Sequence, residues 1–304
     1  MEKQAAGARR REEADMRQES VLDQQNLRTD SHGITRNHQL TSQLNRLSIE
    51  ILDHGYFIGN QQWNQFNVVS PFSRVYCMIA DAGWLETADG RIDLLPGFMY
   101  LIPSGTRVNL RTERRIEKFY FHVNVRYDDM DILDGIQRCH VLPLPGALLQ
   151  SLLDAYHSGG PGGLFAFKSA VYQTLDAFCR QCLPDLSDRL ALAGQYRDFF
   201  SYVSSHLSAN LTAPGICAEL GLSYESFRRR FRDDNGITLH QYIHGCLIRQ
   251  AAQQLLMTDL TVQEIAGRLG FQDEFYFSRL FKQKMQYSPR EYRRINALLR
   301  QRDV

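Results

Sequence analysis

The chain has 304 residues, 43% of them apolar and 11% aromatic, and a net charge of +1. That is enough for two domains with sizeable cores, and it excludes a chain disordered throughout. No run approaches the roughly 18 apolar residues of a membrane span and the N-terminus lacks a signal peptide's apolar stretch, so a cytoplasmic protein without a membrane partner is expected. Six cysteines at 77, 139, 179, 182, 217 and 246 are too sparse and irregular for a disulfide framework. Cys179 and Cys182 form a CxxC inside an apolar helical pattern, with no second pair and no nearby His; that favours two core-facing thiols over a redox or zinc site.

Residues 1–44 carry charges of both signs and few large apolar side chains, which predicts a disordered polar tail. Arg9, Arg10 and Arg11 can act as a basic arm on DNA, but the interleaved Glu residues favour a solvated tail. Residues 45–127 read as short strands at hairpin spacing. Val75-Tyr-Cys-Met-Ile79 is an apolar run, Asp89-Gly90 and Pro96-Gly97 mark turns, and Phe98–Ile102, Val108–Arg111 and Ile116–Val125 continue the series. An all-β barrel or sandwich follows. Alternation along Glu117–Val125 puts Phe119, Phe121, Val123 and Val125 on one face and Lys118, Tyr120, His122 and Asn124 on the other.

Over residues 128–188 the period becomes helical, with one stripe at Leu148, Leu149, Leu152, Leu153 and Tyr156. A second, at Phe167, Ala170, Val171, Leu175, Phe178 and Cys182, follows the Gly159–Gly163 break. Pro184–Asp188 reads as a hinge into a last domain, 189–298, in which Tyr196–Leu207 is an amphipathic helix. The charge is unevenly placed. From Gln195 onward Lys and Arg number 15 against 11 Asp and Glu, and before it 20 against 23, a basic bias where a phosphate-facing surface would need it.

Just ahead of the stretch Ile265–Arg294, IAGRLGFQDEFYFSRLFKQKMQYSPREYRR, Thr261 and Glu264 predict a capping box. Gly270 ends the first short helix and Asp273 caps the next. On the second helix Phe277 and Phe281 face inward while Phe275, Tyr276, Ser278, Arg279 and Lys282 face elsewhere. Two helices across a short turn with Gly make a helix-turn-helix. The pattern recurs. Ile216, Leu220 and Gly221 match Ile265, Leu269 and Gly270 at an offset of 49, and Arg229, Phe231 and Thr238 match Arg279, Phe281 and Ser288 at 50. The chain thus reads as two units, the first at 212–232 and the second at 261–283, joined by a linker helix over 239–258 that a Thr238–Gln241 box begins. Ser223 is the expected cap of the first recognition helix. Two recognition helices at the ends of one rod suit adjacent major grooves.

Residues 196–296 closely resemble the DNA-binding domain of AraC/XylS-family transcriptional regulators, whose pattern "IA..lGF.d.syFsr.FKk..G.sP.eyR" the quoted stretch follows nearly throughout. The strand-rich region resembles, more loosely and over about eighty residues, the cupin-like effector-binding and dimerisation domain of the same family. The resemblance implies a multidomain α and β fold: an N-terminal cupin-like β-barrel or jelly roll with helices, and a C-terminal all-α domain with two helix-turn-helix units joined by a linker helix. It places Glu225, Arg228, Arg229, Phe275, Tyr276, Ser278 and Arg279 where base edges are read. Lys282, Ser288 and Arg290 are set toward phosphates. Tyr76, Trp84, Tyr100, Tyr120 and His122 are candidates for an effector pocket, against the alternative that aromatic residues in a small barrel are core. Three departures from the family pattern are Gln286 for Gly in the last turn, Leu247 where the linker often has Arg, and Gly215 for an acidic residue after Thr212.

The implied partners are double-stranded promoter DNA, RNA polymerase, a second copy of the chain as a homodimer, and a small-molecule effector, for which a sugar-like compound is one candidate. The DNA-bound protein would be nucleoid-associated. A regulator whose β domain only dimerises stays open as an alternative. A cupin-type enzyme is disfavoured, because Thr106–Leu110 lacks the His ligands a metal would need; no metal, cofactor or catalytic residue is expected.

Overall fold

The structure, a computed structural model, describes residues 28–29, 35–36, 38–136, 138–158 and 160–300. Most of the expected polar tail, with Arg9–Arg11, lies outside these residues. Its described end holds two paired strands, β1 (Arg28–Thr29) and β2 (Thr35–Arg36), and a helix α1 (His38–Leu44). By contacts the chain divides into residues 1–48 and residues 49–304, and the β and helical domains both belong to the second.

The remaining strands form two further sheets and not a closed barrel. One has the order β11 (Met130–Asp131), β10 (Ile116–Tyr127), β5 (Ser73–Asp81), β8 (Phe98–Ile102), β12 (His140–Pro143), with β3 (Leu47–Gly59) also paired to β10. The other has the order β4 (Gln65–Val69), β9 (Arg107–Arg111), β6 (Gly83–Thr87), β7 (Gly90–Leu94). The β region thus continues past residue 127. Strand β12 pairs with β8, from His140 opposite Leu101 to Pro143 opposite Phe98. Four residues are too short to show a period against the helical stripe that follows.

Alternation on β10 separates two cores. Phe119, Phe121, Val123 and Val125 pack under two helices, α2 (Gly146–Ser158) and α3 (Gly160–Cys182), with Leu148, Leu152, Phe167, Val171 and Phe178. Lys118, Tyr120 and His122 turn toward the second sheet, where Tyr76, Met78, Leu85, Tyr100 and Leu110 form a separate cluster. The expected Gly159–Gly163 break is not a full interruption, because residues 160–163 are the first turn of α3. Cys179 and Cys182 lie partly buried, and burial raises both thiols above their ordinary range.

The supposed hinge at 184–188 is largely helical, since α4 (Leu186–Gln195) begins inside it. The single helix expected over 196–207 starts one residue later as α5 (Arg197–Ser205). Then come α6 (Ala213–Glu219), α7 (Tyr224–Asn235), α8 (Leu239–Met257), α9 (Val262–Arg268), α10 (Glu274–Met285) and α11 (Pro289–Arg300). They share one core, with Phe199, Phe200, Phe231, Leu247, Ala251, Ile265, Phe277 and Phe281 essentially inaccessible. Capping boxes begin α8 at Thr238–Gln241 and α9 at Thr261–Glu264, and a third, at Ser288–Glu291, begins α11. Ser223 holds the N-cap position of α7 without a side-chain cap bond, its Oγ meeting that of Ser226 instead. Thr212 accepts from Gly215 N–H with no reciprocal bond, which leaves α6 the more weakly capped lead helix.

Two turns constrain residue type. Gly270 sits at φ +79°, and a Cβ there would come within 2.4 Å of Ser208 Oγ. The last turn of each recognition helix is left-handed, at Gly236 (φ 69°) and at Gln286 (φ 69°). A side chain in that conformation costs roughly 1–2 kcal/mol, part of which Gln286 offsets by donating from Nε2 to Gln283 O, 3.2 Å away. Gln286→Gly is therefore expected to stabilise the protein by about 0.5–1 kcal/mol, read from the urea midpoint. A lower midpoint would show that this bond outweighs the strain.

Candidate nucleic-acid interface and effector cavity

The two recognition helices present equivalent faces. On α7, Phe227 and Phe231 are buried while Glu225, Arg228, Arg229, Arg230 and Arg232 are exposed. On α10, Phe277 and Phe281 are buried, Phe275 is 80% and Tyr276 48% exposed, Arg279 and Lys282 are exposed and Ser278 is half-buried. An apolar ring as open as Phe275 contributes nothing to the core and marks a contact surface. Helix α8 separates the units by 19 residues, about 28 Å at ~1.5 Å per residue. Leu247 is buried in the shared core, so the linker departs from the family pattern by packing and not by charge.

The candidate base readers differ in readiness. Arg228 is held by Glu225, Nη2 to Oε2 at 2.7 Å, and this exposed pair raises the guanidinium further above its usual range. Arg230 lies over the rings of Tyr196 and Phe227. Around Arg279 the positions three and four away are Phe275, Tyr276, Lys282 and Gln283, with no carboxylate among them. Of the phosphate candidates Lys282 and Arg290 are exposed, but the Ser288 hydroxyl is engaged. It donates to Glu291 Oε2 at 2.7 Å and accepts from Glu291 N–H.

The five residues expected around an effector do not come together. Tyr76, Tyr120 and His122 line a cavity of about 310 Å³ between the sheets and the helical domain. Trp84 alternates with inward-facing Leu85 and lies on the other side of its sheet, where Nε1 donates to Glu86 and Arg91 stacks at 4.3 Å. Tyr100 is core, its hydroxyl donating to Asp93 O and accepting from Leu95 N–H. The cavity's other walls are Phe57, Trp63 and Phe72, two buried cations, Arg74 and Lys118, and from the helical domain Leu256, Met257 and Asn296. Cross-strand register explains the grouping, since His122 faces Arg74 and Tyr120 faces Tyr76. Burial pushes the His122 imidazole down to about 4 against the opposing bond to Asp53, so the ring is neutral at pH 7. The available signal for Lys118 was its place on the inward face of a strand beside Tyr120 and His122.

Polar ties cross between the β and helical domains. Arg249 on α8 reaches Asp134 at 2.8 Å, Tyr287 donates to Phe66 O at 2.5 Å, and Tyr292 to Val69 O at 3.4 Å. Beside the first tie, burial and then the charge of Asp134 push Asp131 up to about 6. Among the described residues no group of three or more His, Cys, Asp or Glu is placed to hold a metal, and no helix is long and apolar enough to cross a membrane.

A family model described as a helix-turn-helix domain matches residues 216–295. The xylose operon regulatory protein of Escherichia coli K12 is 28% identical over 96 residues, 32% of this chain and 24% of that protein. The HTH-type transcriptional activator RhaS of Klebsiella pneumoniae is 28% identical over 93 residues, 31% of this chain and 34% of that one. The chain thus spans a quarter to a third of the length of these relatives, which are transcription regulators. Over 81% of this chain and 94% of the other, the fold is similar to that of ToxT from Vibrio cholerae, with 13% identity and a TM-score of 0.51. Residues 216–295, with the duplicated units and the linker helix between them, thus form a helix-turn-helix domain similar to that of these transcription regulators.

Proposed function

We propose that this protein binds a promoter element by setting α7 and α10 into adjacent major grooves, and that a small molecule in the cavity between the β and helical domains controls that binding. The observation that carries the first half is the duplication: two helices anchored by paired phenylalanines, each offering an Arg-bearing face, at the ends of one linker helix. Arg279, Arg229 and Arg228, once released from Glu225, suit guanine, while Phe275 and Tyr276 suit thymine methyls and Ser278 is adaptable. Lys282 and Arg290 suit phosphates. Ser288 suits them less, because Glu291 occupies its hydroxyl.

Supporting the second half, the cavity is lined from both domains, so an occupant bears on the end of α8 and on α11. ToxT has been solved with an unsaturated fatty acid bound. The domain division we adopt keeps the helical DNA reader at 189–298 and assigns β12 to the effector domain. Exposed Leu164, Phe165 and Tyr172 on α3 support a homodimer through that helix. RNA polymerase is the partner an activator at a promoter would meet, and no catalytic role is assigned to any residue.

The test is selection of bound fragments from a genomic pool, followed by footprinting. Enrichment of one site with two protected patches a helical turn apart is expected. Equal retention of all fragments would refute sequence-specific recognition, and a single protected patch would refute the paired docking.

A further inference from the structure

Resting on the proposed docking of both recognition helices, we infer that His240 and His244, on the linker helix α8, contact the DNA backbone in their protonated state, so that the first unit holds the duplex more tightly as pH falls. The internal repeat points there. Carried across at the offset of 50, Thr238, His240, Gln241, Tyr242 and His244 fall on Ser288, Arg290, Glu291, Tyr292 and Arg294. The structure keeps this register. Thr238 and Gln241 exchange the same two bonds as Ser288 and Glu291, and Tyr242 and Tyr292 both pack on the shared core. With the tyrosines turned inward, His240 is exposed as Arg290 is, and His244 is half-buried where Arg294 is exposed. The position set toward phosphate in the second unit therefore carries an imidazole in the first.

That exchange changes the chemistry, because guanidinium is always charged while an imidazole is charged only near and below about pH 6.5. The two rings lie one turn apart with centroids 3.8 Å from each other. Lys284, in the last turn of α10, bears on the same spot from the other recognition helix. Burial, then His240, then Lys284 hold His244 below the usual histidine range, so that ring is neutral at pH 7 in the free protein. On α8 no carboxylate lies three or four positions from either ring. On α7, Arg229, Arg232 and Asp233 share a groove with Thr238, two residues before His240. Where two helices occupy adjacent major grooves, phosphates span the interval between them. A phosphate oxygen accepts from an imidazolium N–H and favours the charged ring, raising its value in the complex. Binding then takes up protons: the added affinity is present below the free value and is lost as pH rises through the bound one.

Fluorescence anisotropy on the full chain tests this, with the selected operator and a random-sequence duplex, at roughly pH 6.0 and pH 7.5 and matched ionic strength. Wild type is expected to bind about five- to tenfold more tightly at the lower pH, with a salt dependence steeper by roughly 0.9 in slope per phosphate gained. On the operator the added protection falls on the first unit's patch. The pair His240→Gln and His244→Gln should abolish the difference and leave binding at the higher pH unchanged. His240→Arg, which restores the second unit's residue type, should tighten binding at the higher pH and shrink the difference. A difference that survives the double substitution, none in wild type, or no gain from His240→Arg would each overturn the contact. The random duplex separates the two claims. A histidine-dependent pH effect without preference for any site sustains the backbone contact and overturns promoter recognition, and site-selective binding without that effect does the reverse.

Discussion

Phe231→Ala should cost about 3–5 kcal/mol of stability, the largest loss expected of any single truncation in the helical domain. The ring is fully buried, and five aromatic rings, those of Tyr196, Phe199, Phe200, Phe227 and Tyr242, lie with centroids 5.1 to 6.2 Å away. Such flat, interlocked neighbours come from α5, α7, α8 and the residue before α5, and none can rotate to fill the space without opening another gap. Its counterpart in the second unit, Phe281, meets two rings among the described residues, those of Phe277 and Tyr292. The first recognition helix is thus held chiefly through one aromatic cluster, and its loss should weaken protection of one half of the operator before the other. Urea unfolding and footprinting of the same variant check both parts. A loss below about 1 kcal/mol would mean that the cluster collapses around the cavity.

Arg279→Ala should leave the fold unchanged and reduce discrimination at one base pair by about 1–3 kcal/mol. The side chain is exposed, has no carboxylate three or four positions away and makes no ion pair among the described residues, so it meets DNA without first giving up such a partner. Arg228 differs, since its bond to Glu225 has to open before the guanidinium can turn to a base. A base reader loses affinity unevenly across a set of single-base operator variants, while a phosphate contact loses it uniformly and lowers the salt dependence. A uniform loss for Arg279→Ala would therefore remove it from the readers.

The helical domain was legible because its signals are local. Thr238–Gln241 and Thr261–Glu264 are boxes closed within four residues, and the repeat at offsets of 49 and 50 needs no tertiary contact to be seen. Gln286 was legible in the same way, as the position where the first unit has Gly236 and the backbone turns left-handed. The cavity was only half legible. Alternation on β10 put Lys118, Tyr120 and His122 on one face, but Arg74 joins them through strand register, and Leu256, Met257 and Asn296 come from more than 130 residues away in sequence. Trp84 was misplaced for the same reason: which face of β6 turns inward depends on its pairing with β9, and Leu85 takes the inner side. Ser223 has the residue type of a cap without the bond, because its hydroxyl turns to Ser226.

The carbonyls that Tyr287 and Tyr292 reach belong to β4, the outermost strand of its sheet. An outermost strand carries unpaired backbone groups that invite another chain to add itself. In the whole protein α11 and the turn before it reach that border. Cutting the polypeptide between the two halves would uncover it, so the separated β half should be prone to edge-to-edge self-association, which sedimentation at rising concentration would reveal as open-ended growth and not as a closed dimer.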